Sequence, residues 1–347
     1  MSTLFLDRAG LALRHEGAAL VLYERGERRG TVPVKLIDRV VIQGAAIEMT
    51  TGALLRLAEA GAAVLFLAAR KSSQSALLLG PSHNDAAVRL AQSSLVSDQA
   101  ARSHWSRDLV RRKLRRQYAF LDHLRRARPD ARKPLTDAKL AVGKICDAIS
   151  ATTLTITALR GHEGAAAAQY FKGLQAVFPS NLEFKGRNRR PPKDPVNACL
   201  SLAYTLLHFD AVRAAHAAGL DPMLGLYHRP SFGRESLACD LVEPLRPVVD
   251  RWVWRLLADR KLRHEHFNVD KGACLLSKAG RAHFYPEWET AANWHRRHLR
   301  RQCAISARSL RHKGAALMEA IPGFEEEPPT DESADALHGP ASRETDT

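Results

Sequence analysis

An α+β protein is predicted: a small N-terminal β-sandwich-like domain with one short helix, then a larger all-α domain. Three observations predict it. Short apolar, β-rich pieces recur between residues 3 and 69. Beyond about residue 85 apolar side chains recur at helical spacing instead. Between the two lies a Ser-, Gly- and Pro-containing stretch with little β-branched content. With 347 residues and 45% apolar content, the chain can supply one sizeable core and a smaller second one.

The first domain is expected over residues 1–70. Its strand candidates are 4–6, 11–13, 20–23, 32–34, 40–42 and 64–67, several of them separated by Gly10, Gly17 or Gly26. One helix interrupts them, because Thr50 or Thr51 can cap Ala53, Leu54, Leu55 and Leu57 before Gly61 stops the run. A βαβ piece of a nucleotide-binding fold is the competing reading, but no Gly-rich phosphate loop joins strand to helix. Residues 71–84, with Ser72, Ser73, Ser75, Gly80 and Pro81, read as a linker.

The second domain is expected over residues 85–322. Val110, Leu114, Tyr118 and Leu121 form one helical stripe, with Arg111/Arg115 and Arg112/Arg116 on other faces of the same helix. Further helices are read from Val142/Ile145/Ile149, Leu202/Leu206/Phe209/Val212 and Leu245/Val249/Trp252/Leu256. Residues 184–193 combine Gly186, Pro191 and Pro192 with five bases and read as an irregular basic loop. Residues 323–347 are acidic and Pro-containing and are expected to be disordered.

Charge narrows the function. That tail holds eight acids against Arg343 alone, a net −7, so residues 1–322 carry +22 of a total of +15. Residues 102–133 alone hold twelve bases against Asp108, Asp122 and Asp130, more than solubility requires. Such a surplus attracts a polyanion, nucleic acid before an anionic membrane. Five scattered cysteines without a Cys-x-x-Cys pair exclude a disulfide framework and a zinc knuckle, and fit a reducing compartment. The longest apolar run, 62–69, is far short of a membrane span, so a soluble cytoplasmic protein is expected.

Four residues could carry chemistry. Glu163 opens a small-residue stretch and is placed in the first turn of a helix; its bland role is to complement the helix dipole. His228 precedes Arg229-Pro230 and is placed in a loop, where a histidine is commonly just a hydrogen-bonded group. Asp240 and Glu243, three apart, share one face if their stretch is helical, with Pro244 and Pro247 free to perturb it. Carboxylates on one apolar face repel and are costly to desolvate unless a cation pairs with them. A divalent metal would meet that need; so would Arg229, Arg234 or Arg246. Two carboxylates and an imidazole suit Mg²⁺ or Mn²⁺, and Zn²⁺ less well in a basic protein acting on phosphates.

These residues resemble a known family, the CRISPR-associated endonuclease and integrase that is the universal spacer-acquisition protein. The resemblance runs from the N-terminal β pieces through His83 to residues 280–284. It is carried by Glu163 opening a small-residue helix, Asp-Pro-Val-Asn-Ala at 194–198, His228, and Asp-Leu-Val-Glu-Pro at 240–244. It implies a metal site of Glu163, His228 and Glu243 with Asp240 beside it as a further catalytic acid, and Mg²⁺ or Mn²⁺ as cofactor. It also implies a homodimer, with the β domain making dimer and partner contacts. Two such dimers would flank a dimer of a small ferredoxin-like adaptation protein. The assembly would bind short foreign double-stranded DNA and join its 3′ ends to the CRISPR repeat by transesterification; the isolated protein would cleave DNA.

Candidate DNA contacts are Arg111, Arg112, Lys113, Arg115 and Arg116 on the basic helix, Arg187, Arg189 and Arg190 in the loop, and Arg229, Arg234 and Arg246 near the carboxylates. The competing function is a non-enzymatic architectural DNA-binding protein in which arginines, not a metal, neutralise the acids.

Overall fold

The computed structural model describes residues 2–44, 46–68, 75–80, 85–152, 154–188 and 191–320. Strands β1 (Ser2–Leu6), β2 (Leu11–Glu16), β3 (Ala19–Glu24), β4 (Glu27–Pro33), β5 (Ile37–Gln43), β6 (Ile47–Met49), β7 (Ala63–Leu67) and β8 (Ser75–Leu78) make two four-stranded sheets. In the first, ordered β1-β5-β7-β8, the first three strands run parallel and β8 is antiparallel to β7. In the second, β2, β3 and β4 form an antiparallel meander, and β6 lies parallel to β2. The β3–β4 hairpin turns at Arg25 and Gly26, both at positive φ (53° and 86°), as a two-residue turn matched to strand twist requires.

Helix α1 (Thr51–Glu59) links parallel β5 and β7, so a βαβ crossover is present, without a phosphate loop. Thr50, not Thr51, caps it, its side chain accepting from the Ala53 N–H at 3.3 Å. Alternation along β5 and β7 then sends side chains two ways. Val40, Ile42 and Val64 join Leu6, Leu13, Leu20 and Leu57 between the sheets and α1, while Val41, Ala63, Leu65 and Leu67 enter the helical core.

The stretch expected as a linker, 71–84, contains a strand. Residues 76–78 read Ala-Leu-Leu, apolar enough to add an edge strand beside β7, and the neighbouring serines and Gly80 hid it. Residues 71–74 and 81–84, including His83, lie outside the described residues, as does the expected acidic tail.

Helices α2 (Ala86–Ser97), α3 (Gln99–Ala127), α4 (Arg132–Ala151), α5 (Ile156–Gln175), α6 (Pro195–Ala217), α7 (Ser236–Val242), α8 (Arg246–Ala258) and α9 (Lys278–Glu319) build the second unit. It is not purely helical: β9 (Phe267–Asp270) and β10 (Ala273–Leu276) form a hairpin before α9. The most enclosed helix is α6, capped by Asp194 accepting from Asn197 N–H at 2.9 Å, with Pro195 in its first turn. Around it pack α7, α8 and α9. No helix among the described residues is long and apolar enough to cross a membrane.

Buried charges tie the two units. Asp210 on α6 accepts from Arg296 Nε on α9 at 2.9 Å and lies 3.7 Å from Arg39 on β5. Asp38 binds Arg213 at 2.6 Å, and Phe5 stacks on Tyr285 with ring centroids 4.0 Å apart.

Candidate metal centre and nucleic-acid interface

Helix α5 begins earlier than its sequence suggests. Thr155 caps it, accepting from the Ala158 N–H at 3.2 Å, so Glu163 lies two turns inside rather than in the first turn. Gly161 lies inside this helix, with open space where a Cβ would stand. The helix-dipole account of Glu163 therefore fails, since that effect fades within the first turn.

Glu163 meets Glu243 through Lys113. The Lys113 ammonium on α3 donates to Glu163 Oε1 and to Glu243 Oε2, the latter at 2.6 Å. Glu243 follows α7 in the 3-10 turn Glu243–Leu245, which Pro244 favours, and Pro247 sits in the first turn of α8. The two prolines thus permit a bend from α7 into α8 that turns Glu243 inward. Burial raises its carboxyl pKa, but Arg246, 2.7 Å from Oε1, and Lys113 outweigh that and bring it down to about 2.

His228 completes the group from the loop between α6 and α7. Its Nε2 is 3.8 Å from Glu243 Oε1, and its Nδ1 is 2.7 Å from Asp240 Oδ1. Asp240 is fully buried and also accepts the N–H groups of Leu226, Tyr227 and His228 at 2.7, 3.0 and 2.9 Å. The contact of Nδ1 with Asp240 turns Nε2 toward Glu243. Gly225 permits this wrapping: a Cβ there would lie 2.6 Å from the Ser236 backbone. Asp240, expected as a catalytic acid, has its acceptors taken by four donors, and its place is behind His228.

Two carboxylates and an imidazole nitrogen suit a hard divalent cation, and the space between the carboxylates already holds a positive charge. Among the described residues, however, no three His, Cys, Asp or Glu side chains stand close enough to hold a metal as placed. Lys113 lies where such an ion would bring Glu163 and Glu243 together.

The basic residues divide. Lys113, expected to face DNA, is instead only 6% exposed and bound to both glutamates. Its position was readable: three residues after Val110 and four before Gln117, it belongs to the buried stripe of α3. Arg246 pairs with Glu243, and Arg116 donates to the Pro244 carbonyl at 2.7 Å, so both brace the site. Arg111 lies 3.5 Å from Asp108. Arg187, expected in an irregular basic loop, is anchored by Asn197 Oδ1 at 2.8 Å and Ser201 Oγ at 3.2 Å. Arg112, Arg115, Arg229 and Arg234 are exposed. Arg189 and Arg190 lie outside the described residues.

Two groups near the site were missed. Arg160 donates to the Tyr227 carbonyl at 2.6 Å, steadying the His228 loop from α5. Phe232 projects fully exposed (107%) between Arg229 and Arg234, on a turn closed by a Ser231–Arg234 bridge with Gly233 at φ 65°. An exposed phenylalanine in Pro-Ser-Phe-Gly is the only trace of it in the sequence.

Comparison with known proteins agrees with this architecture. Residues 4–290 match the family model described as CRISPR associated protein Cas1. The CRISPR-associated endonuclease Cas1 1 of Thermodesulfovibrio yellowstonii is 40% identical over 291 residues, covering 83% of this chain and 91% of that protein. A solved Cas1 protein from Thermotoga maritima superposes with TM-score 0.75 at 22% identity, over 94% of this chain and all of that one. A chain of a Cas6-RT-Cas1–Cas2 complex gives 0.76 at 20% identity, over 93% of this chain and 36% of that one. Matched over most of its length, the chain belongs to the Cas1 family of CRISPR-associated endonucleases and integrases.

Proposed function

We propose that Glu163, His228 and Glu243 are the ligands through which this metal-dependent DNA endonuclease and integrase binds Mg²⁺ or Mn²⁺. The observation that carries the reading is the meeting of three elements distant in sequence: α5, the loop after α6, and the turn after α7. A bound divalent cation would polarise a phosphoryl oxygen and favour in-line attack by water or a DNA 3′-hydroxyl. Asp240 holds His228 with Nε2 available, Arg246 keeps Glu243 ionised, and the Gly225 loop fixes the ring's direction. The same site cleaves when water is the nucleophile and joins strands when the hydroxyl is.

Double-stranded DNA is the substrate proposed, both short foreign fragments and CRISPR repeat. Arg112, Arg115, Arg229 and Arg234 are the exposed bases available to phosphates around the site, with Arg111 and Arg187 less free. Arg189 and Arg190 remain contacts proposed from sequence. Phe232, four residues after His228 in the chain, offers an exposed aromatic face to a base. A homodimer working with a small ferredoxin-like adaptation protein is proposed in line with the likeness to a chain of a Cas6-RT-Cas1–Cas2 complex. Residues 1–70, continued through β8, would make the dimer and partner contacts, and the helical unit, 85–322, the metal and DNA contacts.

The test is strand joining of a short 3′-hydroxyl duplex into a supercoiled repeat-bearing plasmid with Mn²⁺. Glu163→Ala, His228→Ala and Glu243→Ala should each abolish joining and cleavage while duplex binding persists. Full turnover by all three would sink this ligand assignment, whereas duplex binding by the unaltered protein with no turnover at any Mg²⁺ or Mn²⁺ concentration would return the architectural DNA-binding reading.

A further inference from the structure

We infer that the Lys113 ammonium is a built-in competitor of the divalent cation, holding the same two carboxylates and obliged to leave at least one of them when the cation binds. The inference rests on Glu163 and Glu243 being ligands, as proposed above.

Lys113 is buried on the inward stripe of α3 and its Nζ donates to Glu163 Oε1 and Glu243 Oε2 at once. Arg246 occupies the other Glu243 oxygen at 2.7 Å and does not bridge to Glu163, so Lys113 alone among the described cations joins the two acids. Without such a joint partner two neighbouring carboxylates repel and lose hydration. The lysine therefore supports the folded site.

It also obstructs it. A divalent cation must approach each carboxylate oxygen to about 2.1 Å. An ammonium nitrogen 2.6 Å from Glu243 Oε2 and bonded to Glu163 fills that space and adds a like charge. Cation binding is then an exchange, and the apparent affinity is the intrinsic affinity reduced by the strength of the lysine's hold. Lys113 reaches the acids on a four-carbon stem with rotatable donors, so it can withdraw without moving α3.

The experiment is Mn²⁺ titration of the purified full chain, with free Mn²⁺ read by electron paramagnetic resonance, for wild type, Lys113→Met, Lys113→Gln and Glu163→Ala. Removing one positive charge from the seat should lower the apparent Mn²⁺ Kd by about tenfold or more. Saturating Mn²⁺ should also raise the Tm of the Lys113 variants more than that of wild type. General damage to the site would weaken binding, so tightening separates competition from a merely structural role. Wild-type binding that depends on Glu163, together with unchanged or weaker binding by the folded Lys113 variants, would overturn the competition alone. Absence of Mn²⁺ binding in wild type, or binding unaffected by Glu163→Ala, would overturn the ligand assignment and the competition with it. Should neither Lys113 variant fold, a crystal structure of wild type with Mn²⁺ decides. Lys113 Nζ detached from a glutamate is expected; Nζ still bridging both overturns the inference.

Discussion

Four N–H donors on one buried carboxylate make Asp240 the residue on which His228 depends. Asp240→Asn would turn an N–H₂ toward donors that already point at it, releasing the imidazole and leaving backbone N–H groups unpaired. We expect Mn²⁺ affinity or strand joining to fall about 10–100-fold, as for other outer partners of ligating histidines; a metal titration and the joining assay measure it. His208 carries a different prediction. Burial disfavours its imidazolium, yet Cys239 and Glu235 more than offset this and lift its pKa to about 9. A raised folded pKa contributes stability that is whole below about pH 6.5 and lost as pH climbs through about 9. Urea unfolding should show stability falling as pH rises across that window, and His208→Gln should flatten the fall.

Among the elements, α3 does two jobs with adjacent residues. Its stripe of Leu109, Val110, Leu114 and Leu121 buries Lys113 toward the glutamates, while Arg112 and Arg115 face solvent. Arg112→Ala and Arg115→Ala should each weaken duplex binding and reduce the salt slope by about 1, whatever the sequence, in a fluorescence-anisotropy titration over salt. The helix was legible from Val110, Leu114 and Leu121, and the burial of Lys113 follows once that stripe is traced through the run of bases; its bonds to the two glutamates were not legible, because they depend on α5 and the turn after α7. Glu163 and Glu243 drew attention as carboxylates in small-residue or apolar surroundings, and the resemblance, not spacing, joined His228 to them as proposed ligands. The start of α5 was misread since Gly161 breaks the pattern locally while Thr155 caps upstream. Strand β8 escaped because four residues beside serines carry too little periodicity, and only β7 supplies its partner.

At the scale of the whole molecule, one face of the first sheet packs on the helical core and a charge cluster spans the two units. Arg296 binds the buried Asp210 at 2.9 Å and the partly exposed Glu289 at 2.7 Å. Arg296→Ala would leave Asp210 with Arg39 at 3.7 Å as its nearest remaining cation, a loss expected to cost about 3 kcal/mol and visible in thermal unfolding. The basic body and the acids of 323–347 were plain from composition; how α6, α9 and β5 meet was not, because it depends on contacts between residues as far apart as Arg39 and Arg296.

Because Val41, Leu65 and Leu67 stand on the reverse side of the strands that carry Val40, Ile42 and Val64, β5 and β7 are covered from above and below. Cutting the polypeptide near residue 80 would strip one of those coverings and expose the apolar face of a four-stranded sheet to water. The N-terminal piece, expressed alone, should therefore precipitate or self-associate, and the intact chain should melt in a single step.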